Sequence, residues 1–223
     1  MCFSANASFG AGTVLSVIGV ATVTRVKNPR QLFFAAIPFL FSIQQIIEGF
    51  TWLSIMHSEY AGWQSVSVKG FLFFAHILWP VWIPLSMWVL EEMPFRRKVL
   101  QWILCIAFIL SASELYCLLA YPADADITGH HIEYTIHYPK IYAVATEALY
   151  VIVTLIPCFV SGKKKMWLLG ISLTVTLILS AVFYKVYLVS VWCFFAAISS
   201  IVVYYILLHN DSSGNLNSNE QNR

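Results

Sequence analysis

Charge is what this 223-residue sequence lacks most. Asp, Glu, Lys and Arg together make up 11% of it, against 59% hydrophobic residues and a mean hydropathy of +0.74. A soluble domain carries roughly 25% charged residues, so too little polar surface is left here to cover one. The same shortage excludes a disordered chain, a collagen and a disulfide-stapled secreted module. A net charge of +2 is too small to point to nucleic acid as a partner. Cysteine is sparse as well: Cys2, Cys105, Cys117, Cys158 and Cys193 are odd in number and dispersed, with no CxxC pair. They read as small core residues, and only Cys2 with Cys117 or Cys193 is placed to meet on an oxidising side. There is no HExxH, no internal repeat and no second domain. The opening MCFSANASFG has no basic n-region and does not read as a signal peptide.

Long apolar runs are what is there. A spanning helix needs about 20 mostly apolar residues, and seven segments qualify: 7–24, 31–56, 70–90, 99–121, 141–160, 167–184 and 187–208. The first and the last two are near the lower length limit, so six or seven helices fit, and seven fits the charges better. Arg25, Lys27 and Arg30 follow the first segment, Arg96, Arg97 and Lys98 the third, and Lys163, Lys164 and Lys165 the fifth. With Arg223, ten of the thirteen basic residues fall on one side, leaving Lys69, Lys140 and Lys185 on the other. An excess of Lys and Arg marks the cytoplasmic side. The expectation is an all-α membrane protein, a bundle of seven transmembrane helices over residues 1–209 with its N-terminus outside. A polar, disordered cytoplasmic tail is expected over 210–223.

The longest stretch between segments is 122–139, on the outer side. There His131, Glu133, Thr135 and His137 alternate with Ile132, Tyr134, Ile136 and Tyr138. A two-residue period predicts a short extended segment, lying either across the mouth of the bundle or on the bilayer interface.

Four ionisable residues interrupt the apolar segments: Glu48, His76, Glu114 and Glu147. Each costs on the order of 2.5–3.5 kcal/mol at mid-membrane if left alone, so such residues face a bundle interior, pair, and mark function. Counted from the outer ends of their helices at 1.5 Å per residue, all four sit roughly 10 Å deep. Four helices thus deliver an ionisable group to one layer. Gln44 lies one turn from Glu48 on the same face, and Ser190, Trp192 and Cys193 of the last segment reach a similar depth. Pro38, Pro80, Pro84 and Pro157 remove backbone hydrogen bonds and kink their helices.

The predicted site is a cavity holding Glu48, His76, Glu114 and Glu147, with Gln44 and Cys193 in its wall. One histidine with carboxylates suits a divalent ion such as zinc, iron or manganese, with His76, Glu48, Glu114 and Glu147 as ligands and Cys2, Cys193 or His137 to complete the shell. Clustered carboxylates also hold and pass protons without any metal. Binding, sensing or transport of a proton, metal ion or small cation is one expectation. A metal-dependent hydrolase acting on a lipid-like substrate is the alternative. Protonated glutamates serving only as interhelical hydrogen-bond donors are a third.

Three runs resemble a known family: MCFSANASF at the start, PFLFSIQQIIEGFTWL in the second segment, and SVWCFFAA at 190–197. Together they resemble an uncharacterised family of bacterial multi-pass membrane proteins with an N-terminal MCFSA signature. The resemblance covers the chain to about Leu208 and implies a single bundle in the bacterial cytoplasmic membrane; it brings no activity with it. Retinal binding is not expected, because Lys185 sits before the last helix rather than within it.

Overall fold

A computed structural model describes residues 4–129 and 131–209, the side chains of residues 140, 141 and 143 apart. Cys2 and the expected polar tail lie outside the described residues. The described residues are mostly helical and form seven helices. Six are long and apolar enough to cross a membrane: α1 Ala5–Val23, α2 Pro29–Met56, α3 Ser58–Leu90, α4 Pro94–Ala120, α6 Met166–Phe183 and α7 Lys185–His209. Helix α5, Lys140–Val160, has a shorter described apolar stretch, Val144–Val160. Two helices begin earlier than the apolar runs predict. Helix α3 opens with a 3-10 segment, Ser58–Trp63. Helix α4 starts at Pro94, a residue suited to the first helical turn, so Arg96, Arg97 and Lys98 ride on the helix itself.

Small residues bring α1 against α2. A Cβ on Gly19 would stand 3.0 Å from the Phe39 backbone, and one on Gly12 would stand 2.8 Å from Ile46. At that spacing Ser42 Oγ donates to the Gly12 carbonyl at 2.8 Å and lies 2.6 Å from Ser16 Oγ. Close approach through glycine and serine is how helices associate where hydrophobic burial gives no preference.

The alternating segment 131–136 is extended as expected, and it has a partner. Strands β1 Ala123–Thr128 and β2 His131–Ile136 pair antiparallel, with Ala125 opposite Tyr134 and Thr128 opposite His131. Gly129, in the turn, takes a φ of +65° that other residues adopt reluctantly. Ala125 and Ile132 are buried against Trp52, Val68, Leu72 and Leu118 of α2, α3 and α4. Tyr134 stacks on Phe71 at 4.3 Å, and His131 stacks on Tyr187 at the start of α7 at 4.8 Å. The hairpin therefore spans from α3 to α7 across one end of the bundle.

The opposite, basic end is held by a carboxylate. Glu91, just past α3, is only 2% exposed. Its Oε1 accepts the backbone N–H groups of Glu92 and Met93 at 3.1 and 3.0 Å, and its Oε2 accepts that of Gly162 at 2.6 Å. Burial opposes its charge, but the three donors and the nearby Arg96 outweigh burial and lower its carboxyl pKa. Lys163 Nζ adds a 2.7 Å ion pair to Glu92. The α3–α4 and α5–α6 turns are tied together there.

Candidate functional site

Proline shapes the site. Pro80 has no N–H, and its ring would collide with the carbonyl of the residue four before it in a regular helix; that residue is His76. Helix α3 responds by widening into a π-helical stretch, Phe73–Leu78. Such widened turns recur at functional sites. Ser111 Oγ, from α4, donates to the Ile77 carbonyl at 3.0 Å inside the widened turn. The same approach of α4 brings Glu114 to His76, with Oε2 3.4 Å from the imidazole Nδ1. Glu114 is 2% exposed, and among the described residues no hydrogen-bond donor reaches either of its oxygens.

These two residues line a cavity of about 100 Å³. Ala75 and His76 of α3 and Leu110 and Glu114 of α4 form its back; Glu147 and Tyr150 of α5, and Leu188, Trp192 and Cys193 of α7, form its sides. Tyr150 and Trp192 meet edge to face at 5.5 Å, joining α5 to α7. Glu147 is exposed and stands at the rim. Tyr138, between β2 and α5, also lines the cavity. Burial pushes its hydroxyl pKa up, and the Glu114 and Glu147 carboxylates push it further, so it stays protonated beside them.

The expected single layer is two clusters. His76, Glu114, Glu147 and Cys193 share the cavity, whereas Glu48 and Gln44 do not line it. Glu48 is fully buried: its Oε1 accepts from Ser190 Oγ at 2.6 Å and its Oε2 from Gln45 Nε2 at 3.1 Å. Gln44 Oε1 accepts the Trp79 indole N–H at 2.7 Å. Cys193 stands between the clusters, with Gln44 and Glu48 beside it. Counting residues along a helix fixes height but not azimuth; α2 turns Glu48 toward α7, while the cavity opens between α7 and α5.

The four-ligand metal site does not assemble. Among the described residues no group of three His, Cys, Asp or Glu side chains is placed to hold a metal ion. His137, expected to be available as a further ligand, lies on the hairpin with Nε2 3.0 Å from Asp124 Oδ2.

Over residues 1–217 the chain matches the model of a family of unknown function, DUF6629. The chain belongs to that family. Neither a curated protein nor a solved structure matches it. The family match spans all seven helices and both clusters, which agrees with the resemblance to an uncharacterised family and assigns no activity.

Two contributors went unforeseen. Gln45 is three residues before Glu48 on a helix, a spacing that permits contact as much as the four-residue spacing of Gln44 does. Tyr138 carried no signal beyond its alternation, because only the docking of the hairpin brings it over the cavity.

Proposed function

We propose that the chain is a multi-pass protein of the bacterial cytoplasmic membrane, N-terminus outside, that binds a small cation in the His76–Glu114 cavity from the outer face. The observation that carries this is Glu114. A buried carboxylate costs several kcal/mol unless paired and hydrogen-bonded, and among the described residues this one has His76 at 3.4 Å but no hydrogen-bond donor on either oxygen, while it faces open space. A cation in the cavity would supply the donors that Glu114 lacks there. The concentration of Arg and Lys at the end away from the hairpin supports the orientation. Toward that end Tyr150 and Trp192 line both the cavity and a neighbouring void of only about 20 Å³ beside Phe41, Trp79 and Leu173. That apolar floor favours binding or sensing over conduction. Among the described residues no triad of His, Cys, Asp or Glu is placed to hold the metal that a hydrolase would need.

The test uses purified protein in lipid nanodiscs. Thermal unfolding is followed at saturating sodium, magnesium, zinc and methylammonium and across pH. A cation held at 100 times its dissociation constant stabilises by about 2.7 kcal/mol. At least one cation, or protons, should raise the midpoint in the native chain and not in Glu114→Gln. No cation or proton effect that depends on Glu114 would overturn the reading. Orientation is tested separately: a reporter active only in the cytoplasm should work after Leu208 and stay silent within 122–139.

A further inference from the structure

We infer that the cation is a small protonated amine, with at least one N–H and several heavy atoms, rather than a bare metal ion or a lone proton. This rests on the cation reading and narrows it. Size is the first argument. One water requires about 10–15 Å³ of cavity of this kind, so a cavity of about 100 Å³ has room for on the order of seven water-sized groups. A single ion would leave most of it empty.

Wall chemistry is the second. Leu110, Leu177 and Leu188 give the cavity surface that cannot hydrate an inorganic ion but packs well against methyl and methylene groups. Trp192 and Tyr150 add aromatic rings, and Trp is the strongest cation–π partner among the side chains. Charge is the third. Two carboxylic side chains, Glu114 and Glu147, line the cavity against one histidine, His76, a lining that attracts a cation rather than an anion. Donors are the fourth and decide the subclass. Among the described residues neither Glu114 oxygen receives a hydrogen bond. An ammonium N–H supplies one, and charge-assisted bonds of this kind are about twice as strong as neutral ones. A quaternary ammonium has no N–H to give.

Isothermal titration of the nanodisc protein with isobutylammonium, tetramethylammonium and isobutanol, which are matched in heavy-atom number, tests this. Isobutylammonium should bind at least tenfold more tightly than either of the others. Glu114→Gln should weaken it at least tenfold, and Leu177→Trp, which leaves every charge in place and fills the cavity, should abolish it. Tighter binding of sodium, magnesium or zinc than of the amine, lost in Glu114→Gln, overturns the amine and leaves the cation reading standing. Proton uptake that depends on Glu114, with no amine binding, does the same. Equal binding of isobutanol and isobutylammonium, unchanged in Glu114→Gln, overturns both. Tetramethylammonium binding as tightly as isobutylammonium overturns the N–H requirement and with it the proposal as stated.

Discussion

Glu91 and Glu114 are buried to the same degree, each 2% exposed, and the fold treats them in opposite ways. Glu91 receives three backbone N–H groups from two turns and has Arg96 beside it. Glu114 receives no hydrogen bond among the described residues and has His76 at 3.4 Å and a cavity in front of it. Glu48 resembles Glu91, with a donor on each oxygen. Burial alone therefore does not identify a functional carboxylate. Saturation does: a carboxylate whose acceptor capacity is filled by the chain holds helices together, and one left open is available to something else.

Removing a saturated carboxylate should cost the most. Glu91→Ala leaves three backbone donors unsatisfied where two turns meet, and a loss of about 3 kcal/mol is expected, read by thermal unfolding in nanodiscs. The pH dependence sharpens this. The folded carboxyl has its pKa lowered from the ordinary 4.5. Its contribution is thus fully present above that value and disappears as pH falls through the lower folded value. Acid should destabilise the native chain more steeply below pH 4.5 than it does Glu91→Gln. Parallel acid profiles would remove Glu91 from the saturated class.

Glu48→Ala should come next, at about 2 kcal/mol, because the Ser190 hydroxyl and the Gln45 amide would be left buried without their acceptor. Glu114→Gln should have the smallest effect, within about 1 kcal/mol of the native chain in ligand-free buffer, since no donor is orphaned. A loss as large as that of Glu91→Ala would break the comparison, because Glu114 would then be structural.

Much of the fold is legible in the sequence. Segments 31–56, 167–184 and 187–208 lie close to α2, α6 and α7, because apolar length and composition are local properties of the chain. The alternation of 131–136 announced β2 for the same reason. Its partner β1 did not announce itself: ADADIT is rich in Ala and Asp, residues depleted in strands, and it became a strand only by pairing with β2 over Trp52 and Leu118. Glu91 carries no signal in the sequence, since the residue that completes it, Gly162, is far along the chain.

The sequence by itself determined the apolar helices and the proline that widens α3 at His76, because apolar length and ring sterics act within one segment. Tertiary structure decided which carboxylates are satisfied. Whether Glu48 meets Ser190, Glu91 meets Gly162, or Glu114 meets His76 and open space depends on the rotation of each helix about its own axis. That rotation is set by how neighbouring helices pack, as where Gly12 and Gly19 admit α2 and where Tyr150 meets Trp192.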